Sequence, residues 1–218
     1  MVVKVNLISY TQDISNRNLL EQIAYVARIS NPTNQNSDNT AEKLVQYLIN
    51  HKHWSPLEMV DVTLEIETTR DIARQILRHR SFVFQEFSQR YADPTQSLGF
   101  VTRDARLQDT KNRQNSVDVD DVWLSENWYV TQYELLESAK QAYQWAIENG
   151  IAKEQARAVL PEGLTVSRMY MKGSIRSWIH YIMIRSGVET QKEHREVATA
   201  CANAIQPIFP MIRSFING

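Results

Sequence analysis

A chain with a single cysteine cannot staple itself: Cys201 has no partner, so an internal disulfide framework and a cysteine-rich metal centre are both excluded. Glycine is scarce as well. The six glycines stand apart at positions 99, 150, 163, 173, 187 and 218 and form no GxGxxG or Walker-type loop, so neither a Rossmann cradle nor a P-loop is available to a nucleotide. No apolar run is long enough to span a bilayer, and Met1 to Tyr10 lacks a secretory apolar core. A cytoplasmic protein that does not engage a membrane is the expectation. With a net charge of −1 there is no global basic field, which argues against nucleic-acid binding by the whole chain. Any affinity for phosphate has to come from local clusters.

What is present suffices for one sizeable domain over residues 1–218, since 43% of the residues are hydrophobic. Val2 to Ser9 alternates as a strand, with Val3, Val5 and Leu7 on one face, and Val60 to Thr68 is the clearest strand and its expected partner. Leu164 to Lys172 alternates as a third. Helical stripes run through Arg17 to Ile29, through Leu44, Val45, Leu48 and Ile49 after a cap near Thr40, and through Thr69 to Arg80. Ser125 to Asn149 reads as a long helix whose apolar stripe is too broad for one face, so packing on both a core and another subunit is expected. Short and long helices are expected at Ala152 to Leu160, Ser174 to Ser186 and Thr190 to Ile208, the last holding Cys201 as a buried, inert thiol. Ala92 to Asp121, with balanced charges, reads as a solvated insertion or mobile loop without function. The fold class is α/β in the broad, α+β sense.

Chemistry concentrates in Arg78 to Tyr91. Arg78, His79 and Arg80 cannot all be buried cheaply, so something anionic is expected beside them. If Gln85 to Tyr91 is extended, Glu86, Ser88 and Arg90 share one face and line up an acceptor, a hydroxyl and a fork donor. On a helix, Gln75 and Arg78 reach one ligand. Later in the chain Arg176 and His180 lie one turn apart, while Arg185 falls on nearly the opposite side of the same helix. Such opposed groups suit a helix lying between two sites of an oligomer. His51 and His53 invite a zinc reading, but no cysteine or HExxH pattern completes it, and surface or capping histidines are expected, with no metal.

Arg78-His79-Arg80, followed after seven residues by Ser88-Gln89-Arg90-Tyr91, resembles the signature of the flavin-dependent thymidylate synthases. Further blocks are similar to that family at His53, Ser55, Pro56 and Glu58, at Arg157 to Pro161, and at Ser174 to Arg185, where Ser174 replaces a commoner asparagine. The resemblance implies a central mixed or antiparallel sheet flanked by helices, and a homotetramer with active sites where subunits meet. It implies FAD as cofactor, with NADPH and methylenetetrahydrofolate as co-substrates in the reductive methylation of dUMP to dTMP. It assigns Gln75, Arg78, Glu86, Phe87, Ser88, Gln89, Arg90, Arg157 and Arg185 to dUMP. It assigns His53, Ser55, Arg78, His79, Arg80, Glu86, Ser174, Arg176 and His180 to FAD. Arg185 is implied as the activating group, stabilising negative charge as the uracil N3 ionises, in place of a cysteine nucleophile. Two alternatives stand beside this reading: a phosphate- or RNA-binding module built on Arg74, Arg78, Arg80 and Arg90, and a flavin reductase that methylates nothing.

Overall fold

The computed structural model describes residues 3–217, so the place of Val2 in the first strand lies outside the described residues. In chain order the elements are β1 (Lys4–Tyr10), α1 (Leu19–Ala27), α2 (Ala41–Asn50), β2 (Asp61–Thr69), α3 (Arg70–Ile76), β3 (Val83–Glu86), α4 (Pro94–Ser97), β4 (Arg106–Gln108), β5 (Ser116–Asp118), α5 (Val122–Glu148), α6 (Lys153–Ala156), β6 (Val166–Ser174), α7 (Ile175–Arg185) and α8 (Lys192–Ile205). Four strands form one sheet in the order β1-β2-β6-β3, each neighbouring pair antiparallel.

The alternation in β2 determines which side of the sheet is dry. Val62, Leu64 and Ile66 are buried, while Glu65 and Glu67 on the other face meet Arg168 of β6. On β1 the register slips between Leu7 and Ser9, and the extra residue, Ile8, is left pointing outward and half exposed. Helices α7 and α8 cover the apolar face, and one core joins them to the sheet through Trp178, Ile182, Val197 and Cys201. Trp178 is fully buried because its indole N–H donates to the Val62 carbonyl at 3.1 Å.

At Gly173, in β6, the Phe82 ring is seated against bare backbone: a Cβ there would lie 2.4 Å from Phe82 Cδ1. Gly173→Ala is therefore expected to destabilise the fold by about 1–3 kcal/mol through overpacking. Urea unfolding measures it, and an unchanged midpoint would contradict the close approach.

Helix α1 starts from a full capping box between Asn18 and Glu21. Thr40, expected to cap α2, makes no capping bond; its hydroxyl accepts from Arg28 instead, at 2.7 Å. The long helix α5 stops at Asn149 and Gly150, the glycine at φ +77°. Its inner side buries Leu136, Ala139, Tyr143 and Ala146, and its outer side exposes Trp123, Tyr129, Tyr133 and Trp145.

Three expectations need correction. The helix expected over Thr69 to Arg80 ends at Ile76, so Arg78, His79 and Arg80 lie in a turn and not on a helical face. His79 is drawn inward there by Arg185 and Tyr181. The extended run expected over Gln85 to Tyr91 ends at Glu86: Phe87 still donates its backbone N–H to the Arg168 carbonyl, but Gln89 to Tyr91 turn although β6 runs on to Val166. Glu86, Ser88 and Arg90 thus do not form one line. The segment 92–121 carries α4 and the β4–β5 hairpin, and Arg103 and Arg106 anchor it to the body through Asp71 and Glu193.

Candidate active site

The sequence-selected residues gather into three groups, positioned by the ends of β6 and by the two helices that follow β2 and β6 without a linker.

The first group surrounds Tyr181 of α7. The Nε–H of Arg185 donates to His79 Nε2 at 2.8 Å, and the His79 ring stands edge-on to Tyr181 with centroids 5.0 Å apart. Burial, and then the charge of Arg185, push the His79 pKa down to about 4, so the ring is neutral and acts as acceptor. The Arg185 guanidinium is left with its Nη edge unengaged among the described residues. In the same group, Gln75 is held by His194 at 3.2 Å and by Gln191 at 2.9 Å. His194 is buried, and burial followed by Arg185 and His79 lowers its pKa to about 3. Arg78, next to this group in sequence, is exposed and has no ion-pair partner among the described residues.

The second group lies at the Val166 end of β6. Glu86 accepts from Ser167 Oγ at 2.9 Å and pairs with Arg74 at 3.3 Å and Arg70 at 3.8 Å. Glu162 holds the same two arginines, at 3.6 and 3.8 Å. Burial and then Arg74 pull the Arg70 pKa below its ordinary value, and the two glutamates oppose them. Arg90 pairs with Glu154 at 3.5 Å, and Arg157 donates to the Glu154 carbonyl at 3.4 Å, so these two arginines stand together. Ser88 Oγ accepts the Arg90 backbone N–H at 3.4 Å. Phe87 donates its backbone N–H to the Arg168 carbonyl, and Gln89 is buried with its Nε2 unpartnered among the described residues.

The third group is at the Ser174 end of β6. Ser174 caps α7 by accepting from the Ser177 N–H at 3.2 Å and donates to Glu58 at 2.6 Å. An asparagine would cap equally well, which explains why serine is tolerated at this position. Arg176 pairs with Glu58 at 2.9 Å, yet its Nε is buried with no partner among the described residues. Arg80, Ser81, Lys172 and Arg176 line a cavity of about 400 Å³ at this end. His180 stands edge-on to Trp54 at 5.1 Å, and burial followed by Arg176 lowers its pKa. His53 and Ser55 are exposed around the adjoining 3-10 turn, His53 with its ring 6.3 Å from Tyr47. Among the described residues no three His, Cys, Asp or Glu side chains are grouped to hold a metal ion.

Seven residue steps of strand lead from Ser167 to Ser174, about 23 Å at strand rise, so the second and third groups face opposite ends of the sheet. Helix α3 separates the first two groups: Arg74 turns to Glu86 while its neighbour Gln75 turns to His194. Within one chain, therefore, the residues assigned to dUMP are divided between two faces.

Sequence reasoning passed over Ser167, Glu162, Gln191, Glu193 and His194. A signal for the last existed. His194, Val197, Ala198, Cys201, Ala202 and Ile205 keep helical spacing on one buried stripe, so a histidine occupies a core position one turn ahead of the apolar run.

A family model described as thymidylate synthase complementing protein matches residues 6–211. The flavin-dependent thymidylate synthase of a Synechocystis strain is 51% identical over 195 residues, covering 89% of this chain and 88% of its own. A probable flavin-dependent thymidylate synthase of Paramecium bursaria Chlorella virus 1 is 47% identical over 201 residues, covering 90% of each. Among solved structures, the UMP/dUMP methylase PolB from Streptomyces cacaoi, bound with 5-Br UMP, superposes with a TM-score of 0.81 at 23% identity, covering 98% of this chain and 93% of that one, a likeness of fold. No helix among the described residues is long and apolar enough to cross a membrane. The chain belongs to the family of flavin-dependent thymidylate synthases.

Proposed function

We propose that this protein converts dUMP to dTMP as a single domain over residues 1–218, using FAD, with methylenetetrahydrofolate as carbon donor and NADPH as reductant. The observation that carries the reading is the contrast between Arg185 and Cys201. Cys201 is fully buried and its thiol is pushed well above the ordinary range by burial, so it offers no thiolate to a pyrimidine ring. Arg185 is held at its Nε by a neutral histidine, and its two Nη groups make no hydrogen bond among the described residues. A guanidinium fixed in this way can stabilise negative charge on a uracil as N3 ionises, with no bond formed to the protein.

The third group fits FAD. The Nε of Arg176, buried and without a partner among the described residues, and Arg80, lining one cavity with Ser81 and Lys172, supply donors suited to a pyrophosphate. Ser174, Arg176, Arg80 and His180 would hold the cofactor, with His53 and Ser55 at its rim. When bound, FAD supplies hydride chemistry at this site. Gln75, Arg78 and Arg185 would meet the base and sugar of dUMP, while Glu86, Ser88, Arg90 and Arg157 would position its sugar and phosphate.

Those two sets lie on opposite sides of α3, and this division supports a homotetramer in which one chain's Glu86 to Arg90 segment completes the site of another. The apolar outer side of α5 offers area for such contacts. A cytoplasmic location is part of the same proposal.

The visible spectrum of protein incubated with FAD and desalted, then followed anaerobically on adding NADPH with and without dUMP, tests the reading. Retained flavin whose bleaching responds to dUMP is the expected result. Retained flavin indifferent to dUMP would point to a reductase, and absence of flavin from the folded protein would overturn the enzyme reading.

A further inference from the structure

A run of hydrogen bonds with a fixed direction passes through Gln75. Glu193 lies at one end. It is 5% exposed and its carboxyl is gripped by Arg106 and by Arg103, the latter at 3.1 Å. Burial alone would raise its pKa, but the bonds from Arg106, the backbone and Gln191 and the charge of Arg103 outweigh that and hold it at about 2. An ionised carboxylate only accepts. Gln191 must therefore turn its Nε2 to Glu193, at 2.8 Å, which leaves its Oε1 to accept from Gln75 Nε2 at 2.9 Å. Gln75 Oε1 then faces His194 Nδ1 at 3.2 Å, and His194 Nε2 faces the Tyr181 hydroxyl at 3.1 Å. A neutral imidazole has one N–H, and here it has to be on Nδ1, with Tyr181 donating to Nε2.

We propose that Glu193 and His194 are positioning residues that fix which end of the Gln75 carboxamide is oxygen and which is nitrogen. A free glutamine side chain can turn over and exchange donor for acceptor. Here the exchange would put the Gln75 oxygen against the Gln191 oxygen, and correcting that would put the Gln191 oxygen against the Glu193 carboxylate. The partners at both ends take one N–H and one lone pair of Gln75. One N–H and one lone pair remain, each at a known end, for a ligand. The same cluster aligns Arg185, because His79 and His194 both set their rings against Tyr181. The use of this alignment for dUMP rests on the function proposed above.

Two amide replacements distinguish a positioning role from simple filling of space. The amide nitrogen of asparagine falls near the place of His Nδ1 and that of glutamine near His Nε2, so His194→Asn keeps the donor to Gln75 and His194→Gln loses it. Both substitutions bury a carboxamide at the same place, so any general cost to folding is shared. Calorimetric titration with dUMP is expected to show His194→Gln binding about tenfold or more weakly than His194→Asn, the loss of one oriented hydrogen bond. Equal affinities would overturn the proposal. Solid-state NMR of ¹⁵N-histidine-labelled protein without ligand reads the tautomer directly: the His194 signals, identified by their absence in His194→Asn, should show the proton on Nδ1. A proton on Nε2 would overturn the proposal. Nδ1 protonation in a protein that binds no dUMP would uphold the fixed carboxamide and sink the nucleotide reading.

Discussion

Arg185→Ala is expected to lower dTMP formation by about 10²–10³-fold, the scale of losing one preorganised donor to developing charge. Nine residues after Arg176 on α7, Arg185 points away from the Glu58 group and is braced by His79 at 2.8 Å. The brace sets the plane of the guanidinium before any ligand arrives, so little ordering remains to be done on binding. Arg185→Lys keeps the charge but loses both the planar fork and the Nε bond to His79, and it should recover only a small part of the rate. Steady-state rates, with circular dichroism to confirm folding, decide the matter. An alanine variant within tenfold of the parent would remove Arg185 from the activation step.

The second large effect is on stability. Glu193→Ala leaves Arg103 and Arg106, both mostly buried, without their shared carboxylate, and removal of one member of such a cluster is expected to cost about 3–5 kcal/mol. Arg103 retains Asp71 at 2.8 Å, which places the expectation nearer the lower figure. Urea unfolding reads it, and a loss below about 1 kcal/mol would show that the cluster contributes little. The pH dependence has a definite sign. The folded pKa of Glu193, about 2, lies below the ordinary carboxylate value of 4.5, so its stabilisation is complete above 4.5 and is lost as pH falls through 2. For His79 and His194, at about 4 and about 3 in the fold against 6.5 unfolded, stability likewise declines as pH drops below 6.5. Acid titration of the parent should therefore show a decline beginning near pH 6.5 and steepening below 4.5. In Glu193→Ala the first part should persist and the carboxylate contribution below 4.5 should vanish.

Much of this arrangement could be read from the residues. The period-two runs of β1 and β2 gave both the strands and their pairing, because one buried face leaves a single register that hides Val62, Leu64 and Ile66. The angle between Arg176 and Arg185 on α7 also follows from spacing alone. What could not be read is where tertiary contacts overrule local pattern. Helical spacing continues past Ile76, but His79 is drawn to Arg185, 106 positions later, and the backbone leaves the helix to allow it. The alternation from Gln85 continues while β6 still runs on to Val166, but the chain turns at Gln89, where Lys153 donates to the Tyr91 carbonyl and Glu154 pairs with Arg90. Balanced charges in 92–121 look solvated until Glu193 is brought beside Arg103 and Arg106. In each case the deciding group is remote in sequence.

The order of strands in the sheet also bears on how the chain is made. β2 finds β1 early, but its other edge waits for β6, and Glu67 and Arg168, which meet across that pair, are 101 positions apart. At synthesis rates of about 5–20 residues per second, β2 stands with one edge of unpaired N–H and C=O groups open for roughly 5–20 s before its neighbour has been translated. β3 is made in the interval and cannot shelter it, since it too pairs only with β6. The emerging chain thus carries two strands awaiting the same late partner, and a lysate that translates slowly or lacks chaperones should yield less folded protein from this gene than the stability of the finished sheet would suggest.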